Sequence, residues 1–114
     1  MAQDTWQIFD IETLKQRVQG PEPRFFEYLR SGRLSSALYR LPAGANDLQG
    51  PHLEDEIYIV LEGSARLRVG SDEQAVRPGQ VLFIRANAPH AFIDIREDLT
   101  LLAVFSVPEK PYGT

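Results

Sequence analysis

The chain holds two histidines, His52 and His90, and Glu56 follows the first of them by four residues. Brought together from separate strands, two imidazoles and a carboxylate form a set that holds a divalent metal and leaves coordination positions open. The segment Gly50-Pro51-His52-Leu53-Glu54-Asp55-Glu56 runs directly into Ile57-Tyr58-Ile59-Val60-Leu61. That places Glu56 at the mouth of an apolar strand rather than on a solvated surface. Nitrogen and oxygen ligands of this kind suit manganese, iron, nickel and zinc alike. Ligation needs neutral imidazoles, so metal is expected to leave as they protonate, below about pH 6. The plainer alternative is a pair of histidines that hydrogen-bond inside a pocket without metal.

Side chains near this set extend the chemistry. Tyr58 and Phe92 stand two residues beyond Glu56 and His90, on the same strand faces, which puts both inside a barrel. Phe92 is core there, while Tyr58 can offer its phenol to a substrate oxygen. Arg85, near the mouth, either pairs with an acid such as Asp94 or clamps a substrate carboxylate. Tyr58 and Arg85 are therefore the candidate catalytic residues. Glu54 and Asp55 read as solvated groups of the loop, although strand parity gives Glu54 the same face as His52 and Glu56 if the segment is extended. Trp6, Tyr28 and Tyr39 read as packing residues.

The elements that position these groups are short. Asp10 to Val18 reads as a helix, with Asp10 as N-cap, Leu14 and Val18 on one face, and Gly20-Pro21 as the stop. Phe25 to Leu29 and Leu34 to Tyr39 read as a hairpin. Further strands are expected at Ile57 to Leu61, Ala65 to Val69, Gln74 to Val76, Val81 to Ile84, His90 to Ile95 and Leu99 to Val107. Turns are expected at Glu62-Gly63-Ser64, at Gly70-Ser71-Asp72-Glu73 and at Arg77-Pro78-Gly79. Short strands with closely spaced turns indicate an antiparallel sandwich or barrel. Ile57, Ile59 and Leu61 oppose Tyr58 and Val60, so this strand is apolar on both faces, as is Leu99 to Phe105. An antiparallel strand wet on one side should alternate. The outside of the barrel must therefore be covered, and a homodimer is the expected cover.

Composition narrows the partners. With 114 residues and a net charge of −4, the chain has neither the size for several cores nor the charge for nucleic acid. No cysteine is present, which excludes disulfides, zinc-thiolate sites and thiol catalysis. No stretch approaches the roughly 18 to 20 apolar residues of a membrane span, and Met1-Ala2-Gln3-Asp4-Thr5-Trp6 lacks the basic flank and apolar run of an export signal, so none is expected. A soluble cytoplasmic protein binding a small molecule is expected, without nucleic acid or membrane. One domain is expected over 1–114, with an N-terminal helix and arm over 1–24 and a barrel over about 25–107.

The spacing resembles that of the cupin superfamily. The first cupin motif, G-x5-H-x-H-x3-E-x6-G, meets Gly44, Gly50 in place of its first histidine, His52, Glu56 and Gly63. The second, G-x5-P-x-G-x2-H-x3-N, meets Gly79, Arg85 for proline, Asn87 for glycine, His90, and Asp94 for asparagine. Asn tolerates the left-handed conformation nearly as well as glycine. The resemblance is close over residues 44 to 94, and the strand pattern carries it to about 34 through 107. It implies an all-β, jelly-roll-like double-stranded β-barrel with a short N-terminal helix and a divalent metal ion held by His52, Glu56 and His90. Metal-binding cupins usually use three histidines and a glutamate, so Gly50 removes one ligand; Gln49 or Glu54 is the candidate replacement oxygen. Such a metal acts as a Lewis acid or an O2-binding Fe(II) centre. The implied functions run from dioxygenase, isomerase or decarboxylase chemistry on a small oxygen-rich metabolite to non-catalytic binding or sensing of a small molecule.

Overall fold

A computed structural model describes residues 5–47 and 53–107. The helix α1 covers Ile11–Lys15 and tightens into a 3-10 turn over Gln16–Val18. Asp10 stands at the N-cap position, but its carboxylate accepts from the Thr13 hydroxyl (3.2 Å) rather than from a backbone N–H. Among the described residues six strands follow: β1 Arg24–Arg30, β2 Leu34–Leu41, β3 Glu56–Val69, β4 Asp72–Val76, β5 Val81–Ile84 and β6 His90–Ser106. All pairings are antiparallel, in the order β1-β2-β6-β3-β4, with β5 added beside the first half of β3. This is the all-β barrel expected from the strand pattern.

One expected turn is not a turn, and one expected break between strands is not a break. β3 runs unbroken through Glu62-Gly63-Ser64, and β6 runs unbroken through Arg96-Glu97-Asp98. The register between them slips at Val60/Glu62, Glu62/Ser64 and Ser64/Arg66, so the pair bends by bulges instead of breaking. Gly63 has φ +100°, and a Cβ there would sit 2.3 Å from the Asp98 carbonyl oxygen. Two backbones meet at this point, and only glycine lets them.

The apolar strands divide cleanly between two clusters. Inside the barrel lie Tyr39, Leu41, Tyr58, Val60, Leu101 and Phe92 with their neighbours. Outside, Leu14 and Val18 of the helical segment cover Leu38, Leu61 and Leu102. Lys15 Nζ fixes the helix to β3 through Glu62 at 2.6 Å, and Glu62 also accepts from the Thr100 hydroxyl. Arg17 lies 4.3 Å over the Phe26 ring. The helix shields only part of the outer face: Ile57, Val81 and Phe83 remain exposed. Trp6, expected to pack, is 74% exposed. Among the described residues no helix is long and apolar enough to cross a membrane.

Candidate functional site in the barrel interior

Glu56 opens β3 and His90 opens β6, and both are buried. In the ladder His90 is the partner of Val69, which on a straight strand would lie about 40 Å from Glu56. The bend at Gly63 folds the two halves over each other, and the far ends close on one point. His90 Nε2 lies 2.9 Å from Glu56 Oε1. The Tyr58 hydroxyl, also buried, is 3.4 Å from the same nitrogen, and its ring meets Phe92 edge-on at 5.1 Å. Asn87, just ahead of this strand, has φ +66°, the left-handed conformation expected where the cupin motif has glycine.

The hydrogen bonds of His90 constrain its charge. Nδ1 lies 2.8 Å from the Ala88 carbonyl, which can only accept, so Nδ1 carries a proton. Nε2 faces a carboxylate oxygen, another acceptor. A neutral imidazole has one N–H and cannot serve both. The geometry therefore calls for positive charge at Nε2, either a proton or a cation in its place. Burial pushes the His90 pKa down, but the Glu56 hydrogen bond, the Ala88 carbonyl and the charges of Glu56 and Asp47 outweigh it, leaving the pKa above 6.5. Competition between proton and metal thus begins at a higher pH than an unperturbed imidazole suggests. Glu56 Oε2 is buried and has no hydrogen-bond partner among the described residues. Such an oxygen is costly unless something positive or protic reaches it.

His52, Gln49 and Gly50 lie outside the described residues. Among the described residues no group of three histidines or acids gathers around one point; what the fold brings together is Glu56, His90 and Tyr58. The chain bends at Leu53 and Glu54, so strand parity does not extend to Glu54. That residue instead lines a cleft with Phe25, Glu27, Arg30, Ser35 and Phe105. Arg85 is exposed and does not pair with Asp94, which is held by Arg96 at 3.3 Å.

Asp47 is the residue that sequence reading missed. Its carboxylate accepts from the Tyr39 hydroxyl at 2.6 Å and from the Phe92 backbone N–H at 2.9 Å. Two further bonds tie the same loop to β6: Gly44 N–H to the Ile95 carbonyl (2.9 Å) and Ala43 N–H to the Asp98 carboxylate (2.8 Å). The loop leading toward His52 is thereby laced along the strand that carries His90. A lone acid in a Gly- and Asn-containing loop gives no sequence signal for this role.

The Cupin domain family matches the chain over residues 37–105. An uncharacterized protein of Streptomyces coelicolor is 38% identical over 101 residues, spanning 89% of this chain and 96% of the relative. A crystal structure from Thermus thermophilus superposes with TM-score 0.75 at 28% identity, covering 89% of this chain and 97% of that one. The DMSP lyase DddQ from Ruegeria pomeroyi shares the fold with TM-score 0.71 at 20% identity, covering 80% of this chain and 50% of that one. With bent strands, motif spacing and family match in agreement, the chain belongs to the cupin family.

Proposed function

We propose that the barrel interior binds a divalent metal through His52, Glu56 and His90, and that the protein is a metalloenzyme acting on a small oxygen-rich metabolite. The observation that carries this reading is the buried Glu56 Oε2, without a partner among the described residues, beside a His90 Nε2 that wants positive charge. A cation satisfies both atoms at once, and imidazole and carboxylate are a suitable donor pair for it. When bound, it would supply Lewis-acid polarisation to a ligand chelating through two oxygens. Tyr58, buried at the same nitrogen, is placed to donate its hydroxyl to a ligand oxygen, and the apolar wall of Phe92 and Leu101 excludes water. Isomerase, decarboxylase and dioxygenase chemistry all fit this site.

Elemental analysis of purified protein tests the reading. Close to one equivalent of manganese, iron, nickel or zinc per chain is expected, with loss in His52→Ala and in Glu56→Ala and a lower Tm on chelation. Wild-type protein that stays metal-free when supplied with each of these ions would sink it. A second reading has its own support: as a proton-bound pair, His90 Nε2 and Glu56 Oε1 at 2.9 Å satisfy one another without metal. That arrangement suits a non-catalytic cupin that senses or carries a small molecule. Metal-free protein whose Tm rises with a metabolite favours it.

The protein is further proposed to work as a homodimer. The part of the outer sheet face that the helix leaves bare supports this.

A further inference from the structure

The inner side of the sheet carries a second group of polar side chains, on strands that bear neither Glu56 nor His90. Directly paired residues share a face of the sheet. Phe25, opposite Tyr39, and Ser35, opposite Phe105, therefore stand on the side of the inner core. Glu27 and Arg30 are three residues apart and would point to opposite faces of a regular strand. A register slip between Glu27 and Leu29 turns Arg30 back, opposite Ser35, onto the side of Glu27. Glu27 holds it there through Nε at 3.2 Å and Nη2 at 3.0 Å. With Glu54 and Phe105 these side chains line a cleft of 190 Å³.

Three features of the cleft call for a ligand of one kind. Ser35 is 2% exposed, and its hydroxyl makes no hydrogen bond among the described residues; a buried hydroxyl is costly when left so. Glu54 is half-buried and likewise has neither hydrogen bond nor ion pair among the described residues. Phe25 is 47% exposed although it stands on the inner side. The Arg30 charge is matched by Glu27, so Glu54 leaves the cleft net negative. An anion would meet two carboxylates there, and a neutral ligand would leave Glu54 without a counter-charge. We propose that the cleft binds a small primary amine as its ammonium ion, with Glu54 as counter-charge, the Ser35 hydroxyl as second acceptor and the Phe25 ring against its apolar body. An ammonium has three donors and is attracted to an aromatic face, which suits all three groups. The volume is below the roughly 300–1,000 Å³ of pockets for larger ligands, which suits a small one. Phe25, Glu27, Arg30 and Ser35 lie ahead of residues 37–105, where the family match falls, so this site belongs to the chain's own N-terminal hairpin. It uses none of the proposed metal ligands and stands apart from the metal reading.

Isothermal titration calorimetry with 2-phenylethylamine tests this, with 2-phenylethanol and 3-phenylpropanoate as uncharged and anionic ligands of similar shape. The expected result is saturable uptake of one amine per chain, with the alcohol at least about tenfold weaker and the carboxylate without measurable binding. Glu54→Gln, with unchanged far-UV circular dichroism, should weaken the amine at least about tenfold, and Phe25→Ala at least about threefold. Amine affinity should be the same with a chelator present, because the cleft holds no proposed metal ligand. No saturable uptake of the amine, an alcohol that binds as tightly, or wild-type affinity in Glu54→Gln would overturn the proposal. So would loss of binding on chelation, which would put the amine on the metal and leave the metal reading intact.

Discussion

The interior site turns on a shortage of protons. Both nitrogens of His90 face acceptors, so without metal the ring is held as an imidazolium against Glu56. Its folded pKa lies above 6.5. The stabilisation is therefore whole below the unfolded value and is lost as pH rises through the folded one. The Tm of metal-free protein should fall as pH rises above about 6.5, and a His90→Gln variant should lack that slope. Bound metal replaces the proton, so the metal-loaded protein should show the opposite trend. Glu56→Ala removes the carboxylate bonded to His90 and is expected to cost about 3–5 kcal/mol in urea unfolding of metal-free protein. Asp47→Ala should weaken metal affinity roughly 10- to 100-fold while leaving the three proposed ligands in place, measured by competition with a chromophoric chelator. Glu56 and His90 were legible because the motif spacing marks both. Asp47 was not, because its two partners, Tyr39 and Phe92, lie 8 and 45 residues away and share no local pattern with it.

Among the elements, the strands were legible from two-sided apolar alternation, and their joints were not. Glu62-Gly63-Ser64 has the composition of a turn, yet the chain continues through it as strand because β6 runs alongside and supplies the bonds. Local residues can state that the backbone bends; only the partner strand determines whether it also reverses. Gly63→Ala would force a methyl group into the Asp98 carbonyl and strain a φ of +100°. A loss of roughly 3 kcal/mol or more is expected. Because this bend closes the ends of β3 and β6 on one another, metal affinity should fall with it. Gly70→Ala is the control: its φ is +59°, but nothing lies within 4 Å, so about 1–2 kcal/mol is expected, without effect on the site. On the outer face, Val18→Ala should cost about 2 kcal/mol by uncovering Leu38.

At the scale of the whole molecule, the last strand is the partner on which the others depend. β6 pairs with all of β2 and along most of β3, joining residues such as Leu34 and Ser106. Contacts this distant in sequence make closure of the chain slow, and refolding by stopped flow is expected on the millisecond-to-second scale rather than in microseconds. Synthesis on the ribosome inherits the same order of events. The β1–β2 hairpin and the whole of β3 leave the exit tunnel with apolar faces and unpaired edges, and the segment that joins them follows only after about residue 90. Until then the nascent chain presents two sticky surfaces with no mate of its own, a substrate for chaperones and for premature contact with neighbouring chains on the same messenger.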